Sequence, residues 1–345
     1  MAEFMAERAA EAGLAMELQE VLPHRPNFLA RLTPSGKTRR RVLLAPHLDT
    51  VGAPGSASEL YQPARRNGRV YGRGACDTKG SIAAMFTALS KVARSGRRPA
   101  QTEIVFAGLI DEENAQAGSR ALVAKGFKAD LAIVGEPTKL QVVTAHKGDL
   151  WLRLETRGKS AHGARPELGR NAVHEMAKIV NLLETEYAAS LRQHRHALLG
   201  QATINVGTIS GGTQPNIVPA HCFITIDRRT LPGETESGVR REIGDLLREN
   251  KLKAVLGSAR NAPCLPMETS LGLPLVRQLL ETAAQRDPVG VDFFCDAAVL
   301  AQGGIPSVVF GPGDIAQAHT AEEWISVRSL EAAVGLIERF LRSLP

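Results

Sequence analysis

Thr102-Glu103-Ile104-Val105-Phe106-Ala107-Gly108-Leu109-Ile110-Asp111-Glu112-Glu113 is apolar almost throughout and ends in three consecutive carboxylates. A continuous apolar run predicts a strand, here Thr102 to Ile110, buried on both faces as in a parallel sheet covered by helices. Acids side by side at its end repel one another, so either solvent in a loop or a shared cation must neutralise Asp111, Glu112 and Glu113. Three further runs share this design: Val42-Leu43-Leu44-Ala45 before His47, Leu131-Ala132-Ile133-Val134 before Glu136, and Ser307-Val308-Val309-Phe310 shortly before His319. In open α/β sheets ligands gather at the carboxyl ends of strands.

Helical patterns separate these strands. Phe4 to Gly13 reads as a helix, and Arg41 to Ala45 as a strand. Ile82, Met85, Phe86, Leu89 and Val92 then recur at helical spacing, and Ser119 to Lys125 is a short helix closed by Gly126. Such alternation predicts a doubly wound, mostly parallel α/β sheet. After Gly148 the texture changes. Leu150, Leu152 and Leu154 alternate with Trp151, Arg153 and Glu155 over Asp149 to Thr156, the mark of a half-exposed sheet. A helix carrying Val173, Met176, Ile179, Val180 and Leu183, strands at Ala202 to Ile209 and His221 to Ile226, a helix from Glu234 to Asn250 and a strand near Lys253 to Leu256 follow. This β-α-β-β-α-β order is ferredoxin-like. Pro263 to Pro266 leads back to a helix at Leu271 to Arg286, the Ser307 strand and a last helix from Val327 to Leu344. Residues 1–147 and 263–345 are therefore expected to form a catalytic domain, and residues 148–262 an inserted ferredoxin-like α+β domain.

Composition narrows the function classes. Aromatics make up 4% of the chain, too few for a protein that stacks single-stranded bases. The net charge of +6 is modest for 345 residues, and its densest run, Lys37-Thr38-Arg39-Arg40-Arg41, reads as a solvated turn, so no nucleic-acid partner is expected. Cys76, Cys222, Cys264 and Cys295 form no C-x-x-C pair, which suits free thiols in a reducing cytoplasm. The N-terminal stretch has no basic segment leading into an apolar core, and no window is long and apolar enough to span a membrane, so neither a secretory signal nor a membrane anchor is expected.

His47 and Asp49 are two apart at a strand end and share a side, so a carboxylate is available to fix the imidazole tautomer. Asp77 lies in the glycine-dense Gly72-Arg73-Gly74-Ala75-Cys76-Asp77-Thr78-Lys79-Gly80, where it is either a ligand or the N-cap of the following helix. Neither this turn nor Gly158-Lys159-Ser160 has phosphate-loop spacing. His47, Asp77, Glu113, Glu136 and His319 together form a mixed imidazole and carboxylate set, which suits zinc, with cobalt or manganese as substitutes. Two ions roughly 3.5–4 Å apart would need one carboxylate between them. His194 and His196, flanking Arg195 in a polar stretch, read as a solvated connection.

The motifs His47-Leu48-Asp49-Thr50-Val51, Gly72 to Gly80, Asp111-Glu112-Glu113, Gly135-Glu136-Pro137-Thr138, Ser160-Ala161-His162-Gly163, Gly211-Gly212-Thr213-Gln214-Pro215-Asn216 and Gly311-Pro312-Gly313 resemble those of the di-zinc amidohydrolases. That superfamily includes acetylornithine deacetylase, succinyl-diaminopimelate desuccinylase, aminoacylase and glutamate carboxypeptidase. The resemblance covers nearly the whole chain. It implies that His47 and Glu136 hold one zinc ion, Glu113 and His319 a second, and Asp77 bridges them. It further implies Glu112 as general base, Asp49 as the partner of His47, His162 as an oxyanion donor, and Arg229 and Asn216 as contacts to the substrate, Arg229 to its carboxylate. Alternation puts Arg228 on the opposite face from Arg229, where a surface charge is expected. The implied substrate is an N-acyl amino acid or short peptide, and the implied assembly is a homodimer through the inserted domain, which would also act as a lid. Cys295-Asp296-Ala297 and the segment Gly311 to His319 look closest to acetylornithine deacetylase, with the desuccinylase and a carboxypeptidase or dipeptidase as alternatives. A chain that kept the fold and lost the chemistry would be a metal-dependent binding protein; Glu112 argues against that, since binding needs ligands but no base. Relatives usually carry a further helix before the segment that starts here at Met1, so the chain is expected to begin late.

Overall fold

Parallel pairing brings four apolar strands into register at the centre of a large mixed sheet. In the computed structural model, which describes residues 1–52, 58–260 and 262–345, the strands run in the order Thr102–Gly108, Arg40–Ala45, Leu131–Val134, Ser307–Val309. Val42 lies opposite both Ile104 and Leu131, and Val308 opposite Ile133, all parallel. Every residue of Thr102–Gly108 is buried, as the unbroken apolar run predicts. Because the four strands point the same way, His47, Asp111 and Glu136 emerge at one edge of the sheet. Beyond Gly108 the ladder continues into a single parallel bridge between Leu109 and His47.

The sheet is wider than the sequence reading implied. A hairpin of Ala15–Leu22 and Arg25–Leu32 adds two antiparallel strands beside Thr102–Gly108, with Phe28 opposite Gly108. The outer strand is mostly exposed, so no alternation advertised it. On the sheet packs the helix Lys79–Arg94, which buries Ile82, Met85, Phe86, Leu89 and Val92, the face its periodicity predicts. Phe106 meets Phe28 and Phe86 edge to face, with ring centroids 6.1 and 5.4 Å apart. A buried phenylalanine of this kind is worth about 3–5 kcal/mol against alanine. The closing helix Val327–Ser343 is capped by the Ser326 hydroxyl, which accepts from the Ser329 N–H, and its Ile337, Phe340 and Leu341 join the same core.

These elements belong to one unit, Met1–Thr144, Glu268–Gly290 and Cys295–Pro345; a second unit comprises Ala145–Met267 and Val291–Phe294. The second unit holds an antiparallel sheet in the order Thr203–Gly211, His221–Thr230, Gly148–Arg157, Val255–Ser258, with helices Ala172–Leu182 and Glu236–Glu249 in the connections. Its inner face carries Leu150, Leu152, Leu154, Ile224 and Ile226, while Trp151 on the outer face is 46% exposed. The last strand sits two residues later than expected, and His221–Thr230 runs four residues further than the apolar pattern reached. That extension corrects the reading of Arg228. Arg228 pairs across the ladder with Leu150, so it points to the inner face and is 0% exposed. There Nε donates to the Tyr187 hydroxyl at 3.2 Å and the guanidinium pairs with Glu234 and the carbonyl of Arg229. A buried charge survives only when paired in this way. Among the described residues no helix is long and apolar enough to cross a membrane.

Candidate metal centre

Five of the sequence-selected side chains converge at the carboxyl edge of the large sheet. Ligand atoms of His47, Asp77 and Glu113 all lie within 4.8 Å of one another. His47 ends its strand. Asp77 reaches in from the glycine turn ahead of the Lys79–Arg94 helix, and its peptide bond to Thr78 is cis. Its two carboxylate oxygens face different histidines: Oδ1 is 3.0 Å from His47 Nε2 and Oδ2 is 3.3 Å from His319 Nε2. The same nitrogen of His319 is 3.2 Å from Glu113 Oε2, and the same nitrogen of His47 is 3.9 Å from Glu136 Oε1. His319 comes from the loop after the Ser307–Val309 strand and is the one exposed member of this chain of contacts.

The three acids at Asp111 to Glu113 have separate surroundings. Asp111, with φ of 67°, turns its carboxylate to Arg25 at 3.3 Å, out of the cluster. Glu113 stays partly exposed next to His319, whereas Glu112 is buried. Asp49 fixes the loop: its two carboxylate oxygens accept the N–H groups of Glu112 and Glu113, each at 3.2 Å. His47 Nδ1 donates to the Asp49 carbonyl oxygen at 3.0 Å, with the carboxylate at 3.5 Å. A carbonyl can only accept, so Nδ1 carries a proton, and Nε2 faces Asp77 and Glu136.

The electrostatics are those of an overcrowded acidic cluster. Burial pushes the carboxyls of Glu112 and Glu136 well above the usual range, against the pull of His47 and with the help of neighbouring carboxylates. Burial works likewise on Asp77, but hydrogen bonds from His319 and His47 outweigh it and hold its carboxyl well below the ordinary value. Hydrogen bonds to Asp77 and Glu113 raise His319 to about 10. Burial opposes the charge of His47, yet Glu136, Asp49 and Asp77 raise it overall. Glu136 Oε1, although buried, has no hydrogen-bond partner among the described residues. Carboxylates outnumber imidazoles here and one buried oxygen is left open, so the donor set fits divalent cations.

Two residues of this region carry no local signal as site residues in the sequence. Asp296 is buried ahead of the helix Ala297–Gln302; Ser119 Oγ donates to its Oδ1 at 2.6 Å, and among the described residues its Oδ2 receives no hydrogen bond. Burial lifts its carboxyl to about 6, against Ser119 and His47. Glu323, equally buried, accepts hydrogen bonds from the turn that carries Asp77.

His162, Asn216 and Arg229 belong to the second unit. His162 and Asn216 sit on apposed loops: the Gly163 N–H donates to the Asn216 carbonyl at 2.7 Å, and His162 bridges to Ile217. A Cβ on Gly163 would lie 3.0 Å from that Asn216 backbone, so the approach favours glycine. Both side chains face solvent. Arg229 is half-buried and forms a two-pronged pair with Asp227 at 2.8 and 2.9 Å.

The model of peptidase family M20/M25/M40 matches residues 43–343 of this chain. An acetylornithine deacetylase of Myxococcus xanthus is 31% identical over 96% of this chain and 88% of its own length. Among solved structures, an aminopeptidase from Bacillus cereus superposes with a TM-score of 0.80 at 22% identity, covering 99% of this chain and 91% of the other. A dinuclear metal-binding M20 peptidase from Bacillus subtilis gives 0.71 at 13% identity, covering 99% and 90%. The chain thus belongs to peptidase family M20/M25/M40 and is a metal-dependent hydrolase of linear amides.

Proposed function

We propose that this chain is a two-metal deacylase of N-acyl amino acids, of the N-acetylornithine deacetylase type. The observation that carries the reading is Asp77, whose two oxygens face His47 on one side and His319 on the other. In this reading His47 and Glu136 would hold one zinc ion and His319 and Glu113 the other, with Asp77 contributing to both. Bound divalent cations supply Lewis acidity, lowering the pKa of a shared water and polarising the scissile carbonyl.

The rest is work for the chain itself. Glu112 is the general base: it is buried, burial pushes its carboxyl above the ordinary carboxylate range, and its backbone is fixed by Asp49, so it can accept a proton from water and return it to the leaving amine. Asp49 also keeps the proton of His47 on Nδ1. His162 supplies a hydrogen bond to the developing oxyanion, and Asn216 and Arg229 grip the substrate, Arg229 through a carboxylate that competes with Asp227. The acetyl and ornithine assignment rests on the relative at 31% identity. The second unit is read as a lid and dimerisation domain. Buried Cys76, Cys222 and Cys295, free thiols far apart in the sequence, favour a reducing cytoplasm.

Turnover of N-acetylornithine, N-succinyl-diaminopimelate and simple dipeptides, measured side by side on the zinc-loaded protein, tests the reading. Preference for the acetylated substrate is expected, with activity lost on chelation and restored by zinc. Cleavage of dipeptides alone would replace the deacylase with an exopeptidase.

A further inference from the structure

Glu323 has no place in the reaction as described, yet it is among the best-bound carboxylates in the large unit. Oε1 accepts the backbone N–H groups of Cys76 and Asp77, each at 2.9 Å. Oε2 accepts the N–H of Gly74 and Nη1 of Arg73, again each at 2.9 Å. Its own carbonyl takes the N–H of Gly72 at 3.0 Å. The turn from Gly72 to Asp77 is thus wrapped around one side chain, its N–H groups converging on a carboxylate as on a bound anion. Gly74, at φ of 79°, takes a conformation that glycine adopts readily.

The wrapping connects two segments distant in sequence. Glu323 lies four residues after His319, and Arg73 Nη1, besides pairing with Glu323, donates to the Thr320 carbonyl at 3.2 Å. One buried ion pair therefore fastens the backbone of Asp77 to the loop that presents His319, whose side chains meet 3.3 Å apart.

We propose that Glu323 is the positioning residue of the metal centre, setting Asp77 and His319 at the separation a shared pair of cations requires. The proposal rests on the two-metal reading of that centre. Partners of this kind, one step removed from the metal, are worth about 10–100-fold in metal affinity. Glu323→Gln keeps the shape but turns an NH₂ group towards the Gly74 N–H and Arg73, donor against donor.

Calorimetric titration of zinc into the metal-free full chain is the test. The Kd for zinc is expected to rise about 10–100-fold in Glu323→Gln. Arg228→Met, which breaks a buried pair in the other unit, should lower thermal stability and leave the zinc Kd unchanged. A wild-type Kd retained in Glu323→Gln overturns the proposal even if the melting temperature falls, because the role is then structural only. Should that variant not fold, Arg73→Lys breaks the link to Thr320 while keeping the charge. It is expected to raise the Kd about tenfold, and no change there is equally fatal. If the wild-type chain itself takes up no zinc, the failure lies with the two-metal reading instead.

Discussion

Two buried clusters of charge, one in each unit, are built on opposite plans. Arg228 is closed by its own neighbours: Glu234, the Tyr187 hydroxyl and a carbonyl surround it. Around Asp77 the sum is left open. Carboxylates exceed imidazoles, and among the described residues Glu136 Oε1 and Asp296 Oδ2 receive no hydrogen bond. Burial costs both clusters the same kind of desolvation. The difference teaches that burial of charge does not mark a site; an imbalance that the protein leaves for something else to cancel does.

The largest effect should come from the open cluster. Glu112→Gln is expected to lower turnover by about 10²–10⁴-fold while zinc content, read by elemental analysis, stays at the wild-type value, because the base is separate from the ligands. Loss of zinc together with activity would merge the two roles and weaken the contrast.

The closed cluster should answer in stability. Arg228→Met is expected to cost about 3 kcal/mol in chemical denaturation, the low end for a broken buried pair, since Glu234 remains 24% exposed and can be rehydrated. Replacing both Arg228 and Glu234 by apolar residues should recover part of that loss. A single variant as stable as the parent would show that the pair is not the closed structural element described here.

Asp149 gives the smallest and most discriminating effect. It is buried in the second unit, where Oδ1 lies 3.8 Å from Arg229 Nε but receives no hydrogen bond among the described residues, and burial raises its carboxyl to about 6, against Arg229 and with Asp227 adding to the rise. A folded-state value above the ordinary one means that the folded chain keeps a proton the unfolded chain releases. Its stabilising contribution is therefore full below about pH 4 and fades as the pH rises to about 6. The melting temperature of the parent relative to Asp149→Asn should fall by on the order of a few degrees across that window and be level above it. A difference that rises with pH would mean that Asp149 is ionised and paired in the folded state, as Arg228 is.

Much of this was legible along the chain, in proportion to how local the physics is. The four central strands, the Lys79–Arg94 helix and the inner face of Gly148–Arg157 follow from periodicity, because burial of one face or of both acts residue by residue. The outer hairpin at Ala15–Leu22 was hidden because an edge strand in water needs no alternation. Arg228 was misread because the apolar pattern stops at Ile226, and a charged residue two positions on gives no sign that the strand and its buried face continue.

The sequence by itself determined which donors follow the apolar strands, His47, Glu113, Glu136 and His319, that Asp77 lies in a glycine turn before a helix, and that Glu112 is at hand. Only the tertiary structure decided that Asp77 offers one oxygen to each histidine, that Asp111 turns away to Arg25, and that Glu323 holds the turn of Asp77. Arg73 and Glu323 are 250 residues apart. A contact of that range leaves no period and no spacing in the chain, since its energy exists only once both segments have been brought to the same edge of the sheet.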